Sequence, residues 1–516
     1  MQKRWKTWRG LLAVVVSAIS GCGEEPKTPE NSPPRFQAVT LKVGALEETG
    51  LLAGVVANRG EWDASRGGKI QVVEQALTLD KAGEVDILLF PGDRLGDLID
   101  AGRLAAIPNE SVMSSRRDPA LTDAPPGSAE EEKAAPDPFA FMGITTAYRE
   151  QVTRYGNERV ALPYGASAMV LAYRRDAFER EANRSAAKEK GIELASPKTW
   201  EQLDAMARFF QGRDWDGDGK TDSGIAIVLS DDSEGLGDAT YLARAASLEQ
   251  HPDQFSFLFD SGKMAPRIES PPFIEALAAL VALKDAGPPG MERFDAAAAR
   301  EAFRSGKVAM LIDRAERAST WSGGKPVGVA ALPGSDRVFE PGLKVWAMPG
   351  HPNRPSYLPK GGGWLVGVRK GLTGDPLAAA IDLAKYLSSP EKSDRIQAER
   401  SFPMLPFRVD QMSKGLPDPA SAPDVDVRLW SESVGRTFAE RAVPGLRIPD
   451  ARGYLADLAK GRAAALAGKA PAEAMAGVVR AWDDRTKKLG PKHQLWHYKR
   501  SLNIRGTTDR PPDPGT

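Results

Sequence analysis

Apolar runs bounded by turn residues open the folded part of the chain. "AVTLKVGAL", "KIQVVEQAL" and "EVDILLF" each have the β-branched, turn-flanked character of a strand. "DRLGDLIDAGRL" then switches to helical spacing, with Leu95, Leu98 and Ile99 on one face. Strands alternating with helices predict an α/β fold with a mostly parallel sheet. Residues 109–138 interrupt this order with a polar, proline-bearing, charged stretch that reads as a surface insertion. "ERVALPYGASAMVLAYRRDAF" predicts extended segments followed by a short helix. "PKTWEQLDAMARFFQG" predicts a helix capped by Thr199, with Gln202 at its third position and Trp200, Leu203, Met206 and Phe210 along one stripe. Helices are expected at 273–285 and 295–305, and short strands in "GKVAMLI", "VGVAALPG" and "GGGWLVGVRKG". "DPLAAAIDLAKYLSSPE" predicts a helix with Asp375 as cap and Pro376 at its first position. Two Ala-rich helices are expected near 450–467 and 471–488. The tail, 491–516, reads as partly disordered.

At 516 residues the chain exceeds one ordinary core, so two or three compact units are expected. Basic and acidic residues balance at 69 each, which gives no global field for nucleic acid. The N-terminus has a distinct character. "MQKRWKTWRG" holds Lys3, Arg4, Lys6 and Arg9 without an acid, and a short apolar run follows, "LLAVVVSAI". That pattern fits a secretory signal better than a membrane span. "ISGC" ends at Cys22, the single cysteine, and resembles the bacterial lipoprotein box, in which the cysteine is lipidated. Residues 1–21 therefore read as a removed signal, and 22–35 as a polar, Pro-rich tether. The expected location is outside the cytoplasm, in the cell envelope or periplasm, anchored to membrane through Cys22. With that thiol modified, none is left for catalysis or metal binding.

"VDILLFPGDRLGDLIDAGRLAAIP", "ALPYGASAMVLAYRRDAF", "PKTWEQL", "GKVAMLI", "GGGWLVGV" and "AAAIDLAKYLSSPE" occur in collinear order over about 40–410. In this the chain resembles the bacterial extracellular solute-binding proteins of ABC importers, and most of all their maltose-binding-like branch. The resemblance implies a two-lobe, periplasmic-binding-protein-like (type II) fold with a cleft between the lobes. It also implies capture of a small solute, a sugar or oligosaccharide, by hinge closure, and delivery to an ABC permease in the membrane. No cofactor is required, and a monomer is expected. Laid on this chain, one lobe takes 36–145 and 292–338, and the other 146–291 and 339–490.

Candidate ligand contacts follow from residue chemistry and from the resemblance. Asp93 and Arg94 directly follow the strand "VDILLF", at the strand end where α/β sheets bind ligands. Asp93 suits sugar hydroxyls as an acceptor, and Arg94 suits carboxylate, phosphate or sugar oxygens. Helix capping by Asp93 and solvation of Arg94 are the competing readings. Tyr164 lies where the family's chain crosses into the second lobe, and Trp364 follows three glycines. Flat aromatic faces suit pyranose rings, against the alternative of core packing. Trp62, Trp321, Trp346 and Arg408 are weaker candidates, each more often structural.

"DWDGDGKTD" spans Asp214–Asp222. It lacks the first glycine of a phosphate loop, and its carboxylates would repel phosphate. Asp214, Asp216, Asp218 and Asp222 instead have the spacing of a calcium loop, as a structural clip. Ile225 stands where a true EF-hand carries its bidentate acid, and a metal-free acidic turn is the alternative.

The rival functions are a lipid-anchored sensor or scaffold on the same fold, and a glycan-acting enzyme. No histidine has triad or metal spacing except His493 and His497 in "HQLWH", which reads as surface. "GASAM" lacks the last glycine of a nucleophile elbow. The expectation is a binding protein and not an enzyme.

Overall fold

A computed structural model describes residues 35–113, 139–230, 233–504, 506 and 510–511. The signal, Cys22, nearly all of the tether and residues 114–138 of the insertion lie outside the described residues.

Two sheets organise the chain. The first runs in the order Lys69–Val72, Thr40–Ala45, Ile87–Pro91, Gly363–Val368, Leu162–Ala166. The second runs Val327–Ala331, Met169–Arg174, Val308–Arg314, Ser223–Ala226. The central strand Ile87–Pro91 and both strands Gly363–Val368 and Val308–Arg314 are buried along their whole length. Burial on both faces explains why they read as unbroken apolar runs rather than as alternating ones.

The sheets are mixed, not mostly parallel. Thr40–Ala45 pairs in parallel with both of its neighbours. Gly363–Val368 runs antiparallel to Ile87–Pro91 and to Leu162–Ala166. It reaches the first sheet only after the chain has built the second, and so enters from the opposite direction. In the second sheet Met169–Arg174 is antiparallel to Val308–Arg314, which is parallel to Ser223–Ala226.

These pairings exchange the later segments of the two lobes. Val308–Arg314 and Val327–Ala331 join the second sheet, and Gly363–Val368 joins the first. The expected division, with 292–338 in the first lobe and 339–490 in the second, does not hold at these strands. Strand sequence alone does not say which sheet a run completes, since each run is equally apolar. The first crossing is short: only Ser167 and Ala168 separate Leu162–Ala166 from Met169–Arg174.

Helices meet the sequence pattern closely. Thr199 Oγ1 accepts from Gln202 N at 3.3 Å and caps Trp200–Phe210. Helices Pro271–Leu283, Ala296–Arg304, Ala451–Leu466 and Pro471–Leu489 stand where periodicity places them. One cap moves: the helix Gly374–Leu387 begins after Thr373, ahead of Asp375 and Pro376. The tail is helical over Pro491–Ser501, and His493 and His497 are buried in it rather than on the surface. No helix among the described residues is long and apolar enough to cross a membrane.

Candidate functional site

A cleft of about 480 Å³ opens between segments of the two sheets, within the volume range of small-molecule sites. Glu47 and Glu48 follow the strand Thr40–Ala45, and Asp93 follows Ile87–Pro91, so three carboxylates stand at carboxyl ends of first-sheet strands. Glu234 and Asp238 face them from the start of the helix Leu236–Glu249, beyond the second-sheet strand Ser223–Ala226. Lys360 and Tyr357 come from the segment entering Gly363–Val368, and Arg452 from the helix Ala451–Leu466. A hollow of about 890 Å³ is larger, but it is lined mainly by Val409–Lys414 and Val427–Ala439 and not by both sheets.

Opposite charges hold the walls in place. Arg452 Nη1 donates to Glu47 Oε2 at 2.7 Å, and its Nε and Nη2 donate to Asp93. Arg94 donates through Nε to Glu47 Oε1 at 3.0 Å and through Nη1 to Asp97 Oδ2 at 2.9 Å. Burial alone would raise the Glu47 pKa, but Arg94 and Arg452 more than offset it and hold the carboxyl below its ordinary value. Glu48 accepts from Lys360 Nζ at 2.9 Å and from the Trp364 indole at 2.6 Å.

On the facing wall, Glu234 accepts from Arg300 Nη1 at 2.7 Å and from Arg314. Burial pushes the Glu234 carboxyl up, and Arg300, Arg314 and Arg317 together drive it well below the usual carboxylate range. Asp238 accepts from Arg462 Nε at 2.8 Å. At the short crossing, Ser167 Oγ donates to Glu316 Oε1 at 2.5 Å. Burial raises the pKa of that fully enclosed Glu316.

The backbone of the cleft is specialised. Glu47 and Lys360 sit at φ 66° and 50°, in the left-handed region that non-glycine residues seldom adopt. The turn at Gly92 and the segment at Gly361 nearly touch: a Cβ on Gly92 would lie 2.8 Å from the Gly361 oxygen. Glycine is therefore required for these two walls to meet.

Of the residues singled out from sequence, Asp93 lines the cleft. Arg94 and Trp364 stand behind it, holding Glu47 and Glu48. Asp93 does not cap its helix with its side chain. The others are placed elsewhere. Tyr164 is fully buried, and its hydroxyl donates to Leu51 O at 2.8 Å. Trp62 and Trp321 are buried, their indoles donating to Asp382 and Asp313. Trp346 packs on Phe339 in a separate hairpin, under Arg337. Arg408 is fully buried and donates to the carbonyls of Ser388, Ala140 and Phe139. These aromatic residues lie outside this cleft, since the same chemistry that suits a sugar face also suits protein packing. The cleft also gathers Glu47, Glu48, Glu234, Asp238, Lys360 and Arg452, none of which sequence alone singles out. For Glu47 and Glu48 a signal existed, since they follow a strand end as Asp93 does.

Asp214, Asp216 and Asp218 bring carboxylate oxygens within 4.8 Å of one another. Asp222 is not part of that group; it pairs by its backbone with Arg213 across the base of the loop. The loop also satisfies itself, as Asp214 accepts from the amides of Gly217 and Gly219.

The family model described as "Bacterial extracellular solute-binding protein" matches residues 66–410, about two-thirds of the chain. A search of curated protein sequences gives no match. Among solved structures, the chain is similar to an ABC transporter solute-binding protein from Agrobacterium radiobacter K84 in complex with ribitol, at 18% identity and TM-score 0.57, covering 88% of this chain and 99% of that one. It is similar to maltose-bound MalE3 of T. maritima, at 16% identity and TM-score 0.56, covering 87% and 100%. A solute-binding protein from Agrobacterium vitis S4 with bound D-mannitol gives 18% identity and TM-score 0.56, covering 87% and 99%. At such identities the structures establish the shared two-lobe fold. The family match establishes membership: this chain belongs to the bacterial extracellular solute-binding protein family.

Proposed function

We propose that the chain is the capture component of an ABC importer and closes over a polyhydroxylated solute, a sugar or a polyol. The observation that carries this reading is the facing set of carboxylates. Glu47, Glu48 and Asp93 stand on one wall, and Glu234 and Asp238 on the other. A carboxylate accepts from hydroxyl donors and offers several acceptor positions, so a solute rich in hydroxyls satisfies both walls at once. Closure is favoured because only the closed form makes both sets of contacts. Arg452 and Lys360 supply donors to the solute's oxygens and fix the carboxylates between visits. The similar proteins with ribitol, maltose and mannitol bound support the same solute class.

In this reading the aromatic stacking expected from sequence is a minor contribution, since among the described residues Tyr357 is the one aromatic side chain in the cleft lining. Cys22 carries the lipid, 22–35 is the tether, and a membrane permease receives the solute from a monomer. Calcium on the Asp214–Asp218 loop is a structural clip outside the capture step. A thermal-shift panel of ribitol, mannitol, maltose, longer maltodextrins and peptides tests the solute class, because a ligand of the native state raises its apparent stability. Stabilisation by polyols or sugars supports the reading. Stabilisation by peptides alone contradicts it.

A further inference from the structure

His493 and His497 lie four residues apart on the helix Pro491–Ser501, which puts both rings on one face. That face is buried: His493 is 5% exposed and His497 is 0% exposed. Both rings meet Asp100, the last residue of the helix Leu95–Asp100. Asp100 Oδ1 lies 2.8 Å from His493 Nε2 and 3.2 Å from His497 Nε2, and the three ligand atoms fall within 4.8 Å of one another.

Two further features point to a ligand. Neither ring nitrogen of His493 makes a hydrogen bond; Nε2 is close to Asp100 but is not oriented to donate to it. A buried imidazole left unsatisfied on both sides is costly unless something else completes it. His497 is held from behind, with Nδ1 2.9 Å from the hydroxyl of the fully buried Tyr155. An outer hydrogen bond of this kind fixes the ring of a metal-ligating histidine. Asp100 Oδ1 also accepts from Arg510 Nη2 at 2.8 Å. A bound cation would take over that neutralising role from the arginine.

We propose that Asp100, His493 and His497 form a binding site for one divalent transition-metal ion of the zinc class. Two imidazoles and a carboxylate are a borderline donor set that suits such an ion and not calcium, which takes oxygen ligands. Donor atoms around an ion with bonds of about 2.0–2.1 Å stand roughly 3.3 Å apart, close to the separations from Asp100 seen here. Water fills the fourth position. The ion clips the C-terminal helix to the first lobe. Asp100 ends the helix that begins behind Asp93 and Arg94, while the histidine helix follows Pro471–Leu489, which packs on Pro271–Leu283 of the second lobe.

The test uses the full, untagged chain after dialysis against chelator, titrated with Co²⁺ and then Zn²⁺. The expected result is one Co²⁺ per chain, with the visible absorption of a four-coordinate site, displaced by Zn²⁺, and a Tm that rises with Zn²⁺. His493→Ala removes the absorption, and Tyr155→Phe weakens Zn²⁺ binding by about tenfold. Asp216→Asn, in the separate acidic loop, leaves Zn²⁺ binding unchanged. If His493→Ala does not fold, the partly exposed Asp100→Asn is expected to show the same loss of binding. Absence of Co²⁺ binding by the native chain overturns the proposal, as does native affinity and stoichiometry in a folded His493→Ala or Asp100→Asn variant.

Discussion

Arg452 reaches Asp93 with two nitrogens, Nε 3.2 Å from Oδ2 and Nη2 3.3 Å from Oδ1, while its third, Nη1, holds Glu47. One guanidinium from a C-terminal helix thus fixes carboxylates at the ends of two separate first-sheet strands. In the proposed reading, a solute hydroxyl entering the cleft meets acceptors already held in place. Removing one charged acceptor costs about 1.5–3 kcal/mol, so Asp93→Asn is expected to weaken solute binding by about 10- to 100-fold in calorimetric titration.

Tyr164 separates a core role from a binding role. Its hydroxyl is enclosed and bonded to Leu51 O. Tyr164→Phe is expected to cost about 1 kcal/mol of stability and to leave the solute Kd unchanged. A solute Kd raised more than tenfold without a fall in Tm would place the hydroxyl in the cleft instead.

Glu234 is expected to make the fold acid-sensitive. Its carboxyl titrates below its ordinary value because three arginines outweigh the burial that opposes them. A group depressed in the folded state stabilises above its unfolded pKa, and that contribution is lost as pH falls through the carboxylate range. Thermal scans from about pH 7 to about pH 3 are expected to show falling Tm. Glu234→Gln is expected to begin about 2 kcal/mol less stable and to fall less steeply.

Calcium is expected to raise Tm with half-effect between about 0.1 and about 1 mM, the range of extracellular modules. Asp216→Asn is expected to abolish the shift while leaving solute affinity intact. No shift in the native chain at several times that concentration would show the loop to be a metal-free turn.

What the sequence made legible, and what it hid, divides along the range of the forces involved. The cap of Trp200–Phe210 is local chemistry between Thr199 and Gln202, and it could be read directly. Runs such as Ile87–Pro91 announce buried strands by composition. Which sheet Gly363–Val368 completes depends on a pairing with Ile87–Pro91, far earlier in the chain, and no local pattern encodes it. Asp93 was legible because a strand end is a local feature. Arg452 was not, since it reaches the cleft from a helix more than 350 residues further along. His493 and His497 read as surface because their helix lies next to a polar tail, and their partner Asp100 stands almost 400 residues earlier in the chain.

Closure of one lobe on the other is the central claim, and a distance between lobes tests it most directly. Spin labels at Arg59→Cys, on the exposed side of Leu52–Arg66, and Lys188→Cys, on Glu181–Glu189, report that distance in a Cys22→Ser background. Saturation with a solute that raises Tm is predicted to replace a broad distribution with a single narrower one, displaced by several ångströms. An unchanged distribution under saturating solute would contradict closure.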